Sequence, residues 1–553
     1  MKIKISIMDH EDQVIEYKEG ITAERIADAL QKDLPYQILM CRIDGEDNRL
    51  TAVLDHDCRL ELLDMRSSSA NMCYQGSLIL LYTKAVHDLF GKDVQVTIAN
   101  SLNKGLFNII RTGGLKAADA HMIQKRMEEI VEEDIPFQEK TVSREQMLKL
   151  VKENACRNCN RVVESAEDLD YAQWASLQNE QSLFYHHFVP SARYLKFFEV
   201  RRYKNGMLLR FPQPSNPNVI PEYHDQKLLY DAFSEATYWD KVTQIGYAYD
   251  LNEKVIHNDT KDLVLICEAL HEKRIAEIAD KIQQSGKRII LIAGPSSSGK
   301  TSFAKRLCIQ LSVLGRKPLY LGTDDYFRDL ADTPLDEKGK KDYESLNAVD
   351  TDLFASNMND LLEGKKTDLP SFDFLKQQKI FKQRVTSIDE SQPIVIEGIH
   401  ALNPALTQGI DNDYKFKIYI SPLTQLNIDE YNRIPTTDAR MLRRLVRDYQ
   451  FRGKPAQSTI DAWASVRAGE EKWIFPFLDE ADAFFNSHFQ YELAVLKKYA
   501  EPLLKNIRSD EKEYAEAQRM LAFLKYFAVM EDTSVIPNNS IIREFIGGSV
   551  LVK

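Results

Sequence analysis

Residues Ile289 to Thr301 read IILIAGPSSSGKT, an order that phosphate chemistry requires. Gly294, Gly299, Lys300 and Thr301 stand at the spacing of a phosphate-binding loop, between an apolar strand and the helix begun by SFAKRLCIQLSVLG. The candidate nucleotide contacts are Gly294, Pro295, Ser296, Ser297, Ser298, Gly299, Lys300, Thr301 and Ser302. A glycine-rich turn lets backbone N–H groups face phosphate oxygens, and the helix N-terminus adds positive potential. Lys300 would reach the β- and γ-phosphates, and the Thr301 hydroxyl would bind Mg²⁺. An ordinary glycine turn needs neither the lysine nor the full spacing. The stretch reads as a nucleoside triphosphate site.

Two further runs end in carboxylates. KPLYLGTDDYFRD (Lys317–Asp329) reads as a buried strand closing on Asp324 and Asp325, and PIVIEGIHAL (Pro393–Leu402) as another closing on Glu397. Acidic residues at strand C-termini lie on the ligand-binding rim of a parallel sheet, where they can hold Mg²⁺ or accept a proton. TTDARMLRRLVRDYQFRGK (Thr436–Lys454) predicts a helix begun by Asp438. It gathers Arg440, Arg443, Arg444 and Arg447 on one side and turns Leu442, Leu445, Val446 and Tyr449 inward. Such a stripe can be a solvated face; beside a triphosphate it reads as a lid that neutralises charge developing in phosphoryl transfer, with Arg452 extending it.

These elements need a large frame. At 553 residues the chain calls for ~3 or 4 domains. Hydrophobic content of 44% and charged content of 28% describe a globular, ordered protein. A net charge of −11 argues against a broad nucleic-acid surface. No apolar run reaches the ~20 residues of a membrane span. The opening MKIKISIMDHEDQVIEY alternates like a strand and lacks a signal peptide's apolar stretch. Seven cysteines without framework spacing read as reduced thiols, hence a cytoplasmic location. Cys156-x-x-Cys159 is half of a zinc pattern without its second pair, so free thiols are expected there. His186 and His187, adjacent and so facing opposite ways on a strand, read as packing or surface residues.

Within residues 1–65, KIKISIM and Val14–Tyr17 pair across a turn, TAERIADALQK follows as a helix capped by Thr22, and ILMCRI, TAVL and RLELLD are strands. This order resembles the small ubiquitin-like (TGS) β-grasp module of threonyl-tRNA synthetase. Residues 66–270 form a second, α+β unit. Its AHMIQKRMEEIVEEDIPFQEKTVSREQMLKL (Ala120–Leu150), a helix, a turn at Pro136 and a helix capped by Ser143, resembles that synthetase's editing domain. Gly76 and Leu80 stand where the family pattern has histidines, and Phe188 where it has a third, so editing activity is not expected. The prolines of FPQPSNPNVIPEY (Phe211–Tyr223) mark a rigid loop, and Asp262–Arg288 a long helix leading into residues 285–505.

In that third unit GPSSSGKTSFAKRL, TDDYFRD, LPSFDF, IVIEGIHAL and DARMLRRLVRDYQFRG occur in the order of the uridine kinase and phosphoribulokinase family. The resemblance implies a doubly wound parallel sheet of the P-loop type. It implies transfer of a phosphoryl group from ATP (or GTP), with Mg²⁺, to the 5′-hydroxyl of a pyrimidine ribonucleoside. By motif position Asp324 becomes the general base, and Thr301, Glu397 and Asp324 the metal-binding set. Lys300, Arg444 and Arg447 become catalytic cations, with Arg440 and Arg443 beside the nucleotide. Tyr326, Asn347, Phe372, Gln377, Asp324 and Arg440 become acceptor contacts. Asn347 replaces an aspartate, with Asp350 as its alternative, and Phe372 and Gln377 replace a tyrosine and a histidine. A kinase of another sugar or sugar phosphate, or an RNA-associated nucleotide-dependent regulator, are the competing readings. Residues 506–553 are a helical tail that either packs back or crosses a dimer. Contact of the N-terminal region with tRNA and a homo-oligomer both stay open.

Overall fold

The computed structural model describes residues 1–552 apart from 112, 113, 115, 154–158, 336–338, 340, 374, 375 and 425. Near the N-terminus, Ile3 and Ile5 alternate with Lys2 and Lys4, so strand Lys2–Ile7 buries one face and wets the other. It pairs antiparallel with Gln13–Glu16 and parallel with Cys58–Asp64, in a five-stranded sheet that also holds Ile38–Ile43 and Glu46–Asn48. Helix Ala23–Leu30 buries Ala23, Ile26 and Ala27, and Thr22 Oγ1 accepts from the Arg25 N–H at 3.4 Å. Four antiparallel strands (Gln95–Leu102, Gly105–Arg111, Glu199–Tyr203, Gly206–Arg210) share their apolar core with helices Ser68–Phe90 and Ala117–Glu132. The turn expected at Pro136 falls at Glu133–Asp134; Pro136 bridges to Ser191, strand Phe137–Ser143 follows, and Ser143 Oγ accepts from Gln146 N–H to head helix Arg144–Glu153.

All five residues of Ile289–Ala293 are buried, as befits a strand covered on both faces. It is the centre of an all-parallel sheet ordered Leu319–Gly322, Ile394–Glu397, Ile289–Ala293, Lys415–Ser421, Ala483–Asn486. The chain lays its second strand outside, returns to set the third beside the first, then crosses over for the fourth and fifth. That reversal opens a crevice at the C-terminal ends of Ile289–Ala293 and Ile394–Glu397. Ile290, Ile292, Val395 and Ile418 face a core that runs from Val142 to Ile546 along the chain. Ile289, Leu291, Leu321 and Ile396 face the other side. The segment after residue 505 packs back onto this sheet's own core, with Ile541, Ile542 and Phe545 fully buried.

The cysteine reading needs one correction. Cys41, Cys58, Cys73, Cys267 and Cys308 are free, whereas Cys159 is disulfide-bonded; Cys156 lies outside the described residues.

Helix Thr436–Arg452 also departs from expectation. Its first turn follows Pro435, and Asp438 lies inside that turn, paired with Arg519 at 2.7 Å. Leu442, Leu445 and Val446 are buried as predicted, but Tyr449 is 54% exposed. Arg440 and Arg443, expected on a lid, are buried instead: Arg440 pairs with Glu470, and Arg443 with Glu492 at 2.5 Å while also donating to the Ser487 carbonyl at 2.7 Å. A guanidinium can lie this deep only where carboxylates and carbonyls take up its five donors. Burial alone would raise the Glu492 carboxyl, but Arg443 and His488 beside it pull it down to about 2. Removing one partner strands a buried charge. Arg443→Met should therefore lower the stability of the folded chain by about 3–5 kcal/mol in urea denaturation, and a change below about 1 kcal/mol would contradict the anchoring role.

Candidate active site

The phosphate loop is built by close approach. A Cβ at Gly294 would lie 2.1 Å from the Ile420 carbonyl oxygen, so only glycine lets the loop leave its strand there. Ser297 takes a left-handed conformation at φ 60, which tightens the turn. The loop's carbonyls are then taken up from outside. Pro295 accepts from Lys300 Nζ and from the Ser298 N–H, both at 3.2 Å. Ser296 accepts from Arg440 Nε at 3.1 Å, Ser297 from Arg443 Nη1 at 3.5 Å, and Ser298 from Ser487 Oγ at 2.5 Å. Arg444 Nη1 donates to Ser296 Oγ at 2.8 Å. The Ser297 and Ser298 hydroxyls are buried and, among the described residues, have no hydrogen-bond partner. A lined turn with orphaned buried hydroxyls fits an anion, and the residues present suit a triphosphate.

Beside the loop, Thr301 Oγ1 donates to Glu397 Oε1 at 3.0 Å, and Tyr320 donates to the same oxygen at 3.3 Å. Asp324 follows strand Leu319–Gly322 in the helical turn Thr323–Tyr326. At the next strand end a Cβ on Gly398 would lie 1.8 Å from Thr323 Oγ1, so the two carboxylate-bearing ends abut. The Asp324 side chain is solvent-accessible, yet the protein packed around it, then the nearby Glu397, pushes its carboxyl up to about 7 against the pull of Lys300. Burial likewise raises Glu397 and lowers Lys300, each opposed by the other's charge. The structure thus brings together Lys300, Thr301, Asp324 and Glu397.

Arg444 and Arg447 are near the loop but not loose: Asp448 receives Arg447 at 2.9 Å and Arg444 at 3.4 Å. The half-exposed Arg452 reaches the same carboxylate at 3.3 Å. Asp325, neighbour of Asp324, is held by Arg384 at 2.8 Å.

Past Asp324 the expected acceptor contacts divide. Phe372 packs on Phe327 with ring centroids 5.7 Å apart, Phe327 on Tyr343 at 5.6 Å, and the Tyr343 hydroxyl donates to Gln377 Oε1 at 3.2 Å. These form one aromatic wall with an amide at its edge. Tyr326 does not join it. The helical turn swings its ring into the core, where it is fully buried against Phe354 and its hydroxyl accepts from Asn357 at 3.3 Å. Asn347 is exposed, and its backbone carbonyl accepts from Arg328 Nε at 3.2 Å. Asp350 caps helix Thr351–Leu362 through the Leu353 N–H and binds Lys379 at 2.5 Å, a structural task.

Sequence reasoning missed Glu344. Burial raises its carboxyl, with Arg444 the strongest opposing charge and Lys300 also in range. Its own run, YESLNAVD, follows no apolar strand, so nothing in the spacing marked it. Ser302, expected at the nucleotide, instead gives its N–H and hydroxyl to Glu544. In the second unit, the His186 ring fills the space left by Gly76, where a Cβ would lie 1.8 Å from Cε1, and burial lowers it to about 4. His187 Nδ1 lies 2.6 Å from Glu139 Oε1.

Comparison with known proteins matches residues 289–494 to the phosphoribulokinase/uridine kinase family. The chain is 31% identical over 209 residues to the uridine kinase of Ligilactobacillus salivarius, covering 37% of this chain and 88% of that one. It is 31% identical over 196 residues to the uridine kinase of Staphylococcus epidermidis, covering 35% and 84%. To the uridine kinase of Chloroflexus aurantiacus it is 28% identical over 199 residues, covering 36% and 85%. With its parallel sheet, phosphate loop and strand-end carboxylates, the chain belongs to the phosphoribulokinase/uridine kinase family and is a phosphotransferase with an alcohol acceptor.

Proposed function

We propose that the protein is a nucleoside kinase that phosphorylates the 5′-hydroxyl of a pyrimidine ribonucleoside, uridine or cytidine first, at the expense of ATP or GTP. The observation that carries this reading is the grouping of Asp324 with Lys300, Thr301 and Glu397 at the ends of adjacent parallel strands beside the phosphate loop. Asp324 takes the proton of the acceptor hydroxyl; a carboxylate pushed up to about 7 is a stronger base than an ordinary one. Lys300 holds the phosphates, and Arg444 and Arg447 oppose the charge that grows on them. Thr301 and Glu397, with Asp324 close by, would hold Mg²⁺, which supplies neutralisation of phosphate charge when bound. Among the described residues no group of three or more His, Cys, Asp or Glu side chains is placed to hold a metal. An ion held by one hydroxyl, one or two carboxylates and phosphate oxygens needs no such group. We assign the acceptor's polar contacts to Gln377 and Tyr343, at the edge of the cluster that buries Phe327 and Phe372, and to Glu344.

An acceptor other than a pyrimidine nucleoside, such as another sugar or a sugar phosphate, is favoured by the residue types at Asn347, Phe372 and Gln377. We read the N-terminal half as a synthetase-like region (residues 1–65 and 66–270) without editing chemistry, since His186 occupies the space over Gly76. No helix of the described residues is long and apolar enough to cross a membrane, in keeping with a cytoplasmic enzyme as our reading.

ADP release with Mg-ATP should be stimulated by uridine or cytidine and not by deoxyribonucleosides, ribulose 5-phosphate or buffer alone. Stimulation by another acceptor only would replace the pyrimidine, and none at all would favour the nucleotide-dependent regulator. Asp324→Asn should cut turnover by roughly 10²–10⁴-fold while leaving ATP affinity within about threefold. The same variant has a pH signature in the nucleotide-free protein. The folded carboxyl titrates near 7 against 3.8 for an ordinary aspartate, so the cost of burying its charge is fully present above pH 7. That cost fades as pH falls from 7 towards 4. The melting temperature of Asp324→Asn should therefore exceed that of wild type at pH 8 by more than it does at pH 5, and a pH-independent gap would contradict the buried-charge account.

A further inference from the structure

Helix Lys300–Val313 begins at the phosphate loop, and its first N–H groups have no partner within the helix. One of them is already taken. The Ser302 N–H donates to Glu544 Oε2 at 3.2 Å, and the Ser302 hydroxyl donates to the same oxygen at 2.7 Å. Glu544 lies 242 residues away in sequence and arrives on a segment that is firmly seated. Ile541 sits against Gly299, where a Cβ would lie 2.4 Å from its Cγ2. The Phe545 ring lies under the Arg443 guanidinium at 5.0 Å. Lys305 Nζ donates to the Leu551 carbonyl at 2.5 Å, and Arg543 Nη2 to the Thr533 and Ile536 carbonyls at 2.7 and 2.8 Å. Glu544 is also close enough for its charge to act on both Lys300 and Glu397.

A carboxylate on the first-turn N–H and hydroxyl of a phosphate-loop helix makes the bonds that a phosphate oxygen would make there. One N–H hydrogen serves one anion well, and two anions at this spacing repel. We propose that the segment from Ser540 to Leu551 is an intramolecular competitor of the nucleotide, in which Glu544 occupies phosphate-binding donors and must be displaced when a triphosphate binds. The proposal rests on the nucleotide-site reading given above. Tethering gives the carboxylate a high effective concentration, so a weak anion holds the site until a stronger, multiply charged one arrives. Resting activity would then depend on anything that draws this segment away.

The test uses the full chain, titrated with Mg-ATP and with adenosine, in wild type, Glu544→Gln, Glu544→Ala and Lys300→Ala. Both Glu544 variants should bind Mg-ATP about tenfold more tightly, the weight of one hydrogen bond to a charged group, while adenosine affinity stays unchanged. In wild type, saturating Mg-ATP should speed amide hydrogen exchange across residues 540–551, a reading that needs no substitution. If Lys300→Ala weakens Mg-ATP binding but the Glu544 variants bind it no better than wild type, the nucleotide site stands and the competitor falls. Unchanged exchange in residues 540–551 at saturation overturns it as well. If Lys300→Ala changes nothing either, the nucleotide reading and the competitor fall together.

Discussion

A loop that reserves its N–H groups for an anion turns its carbonyls the other way, and those carbonyls must find donors. This constraint organises the catalytic half of the molecule. Pro295, Ser296, Ser297 and Ser298 are each answered, by Lys300, Arg440, Arg443 and Ser487 in turn. The two arginines among those donors are fully buried, so each needs a carboxylate of its own, Glu470 for Arg440 and Glu492 for Arg443. The ion pairs therefore serve position: they cost desolvation, and what they give is a loop whose shape is fixed before any ligand arrives.

The same crowding shapes the chemistry. Lys300, Asp324 and Glu397 share one corner, partly open to solvent, and the protein packed around it disfavours the charge on all of them. Desolvation is the first cause that lifts Asp324, and the charge of Glu397, only partly offset by Lys300, adds to it. Around it, Asp448 collects Arg444, Arg447 and Arg452, keeping cations close to the loop while their fork geometry is already set.

Much of this was legible because it is local. The phosphate loop declares itself by spacing, and Asp324 and Glu397 by standing directly after apolar runs. The parallel sheet follows from strands and helices that alternate. What was not legible depends on residues far apart. Arg440 and Arg443 look like neighbours of Arg444 on one helical stripe, and only Glu470 and Glu492, tens of residues later, decide that two of the arginines go inside. Tyr326 lies two residues past Asp324, and one helical turn swings it from the crevice to the core. Glu344 is three residues from Asn347, in a run that follows no apolar strand, and only the fold brings it within range of Arg444 and Lys300. Ser302 reads as a phosphate donor by position, but nothing in GKTS points to Glu544, which takes its N–H and hydroxyl.

The central claim is that Lys300, Thr301, Asp324 and Glu397 form one site for nucleotide, metal and acceptor. A crystal structure with Mg²⁺, a non-hydrolysable ATP analogue and uridine tests it most directly. The account predicts the triphosphate in the Gly294–Thr301 loop and Mg²⁺ about 2.1 Å from Thr301 Oγ1. It places the acceptor's 5′-hydroxyl within about 3.2 Å of the Asp324 carboxylate. A triphosphate bound elsewhere, or a nucleoside whose hydroxyl points away from Asp324 with the loop filled, would contradict it.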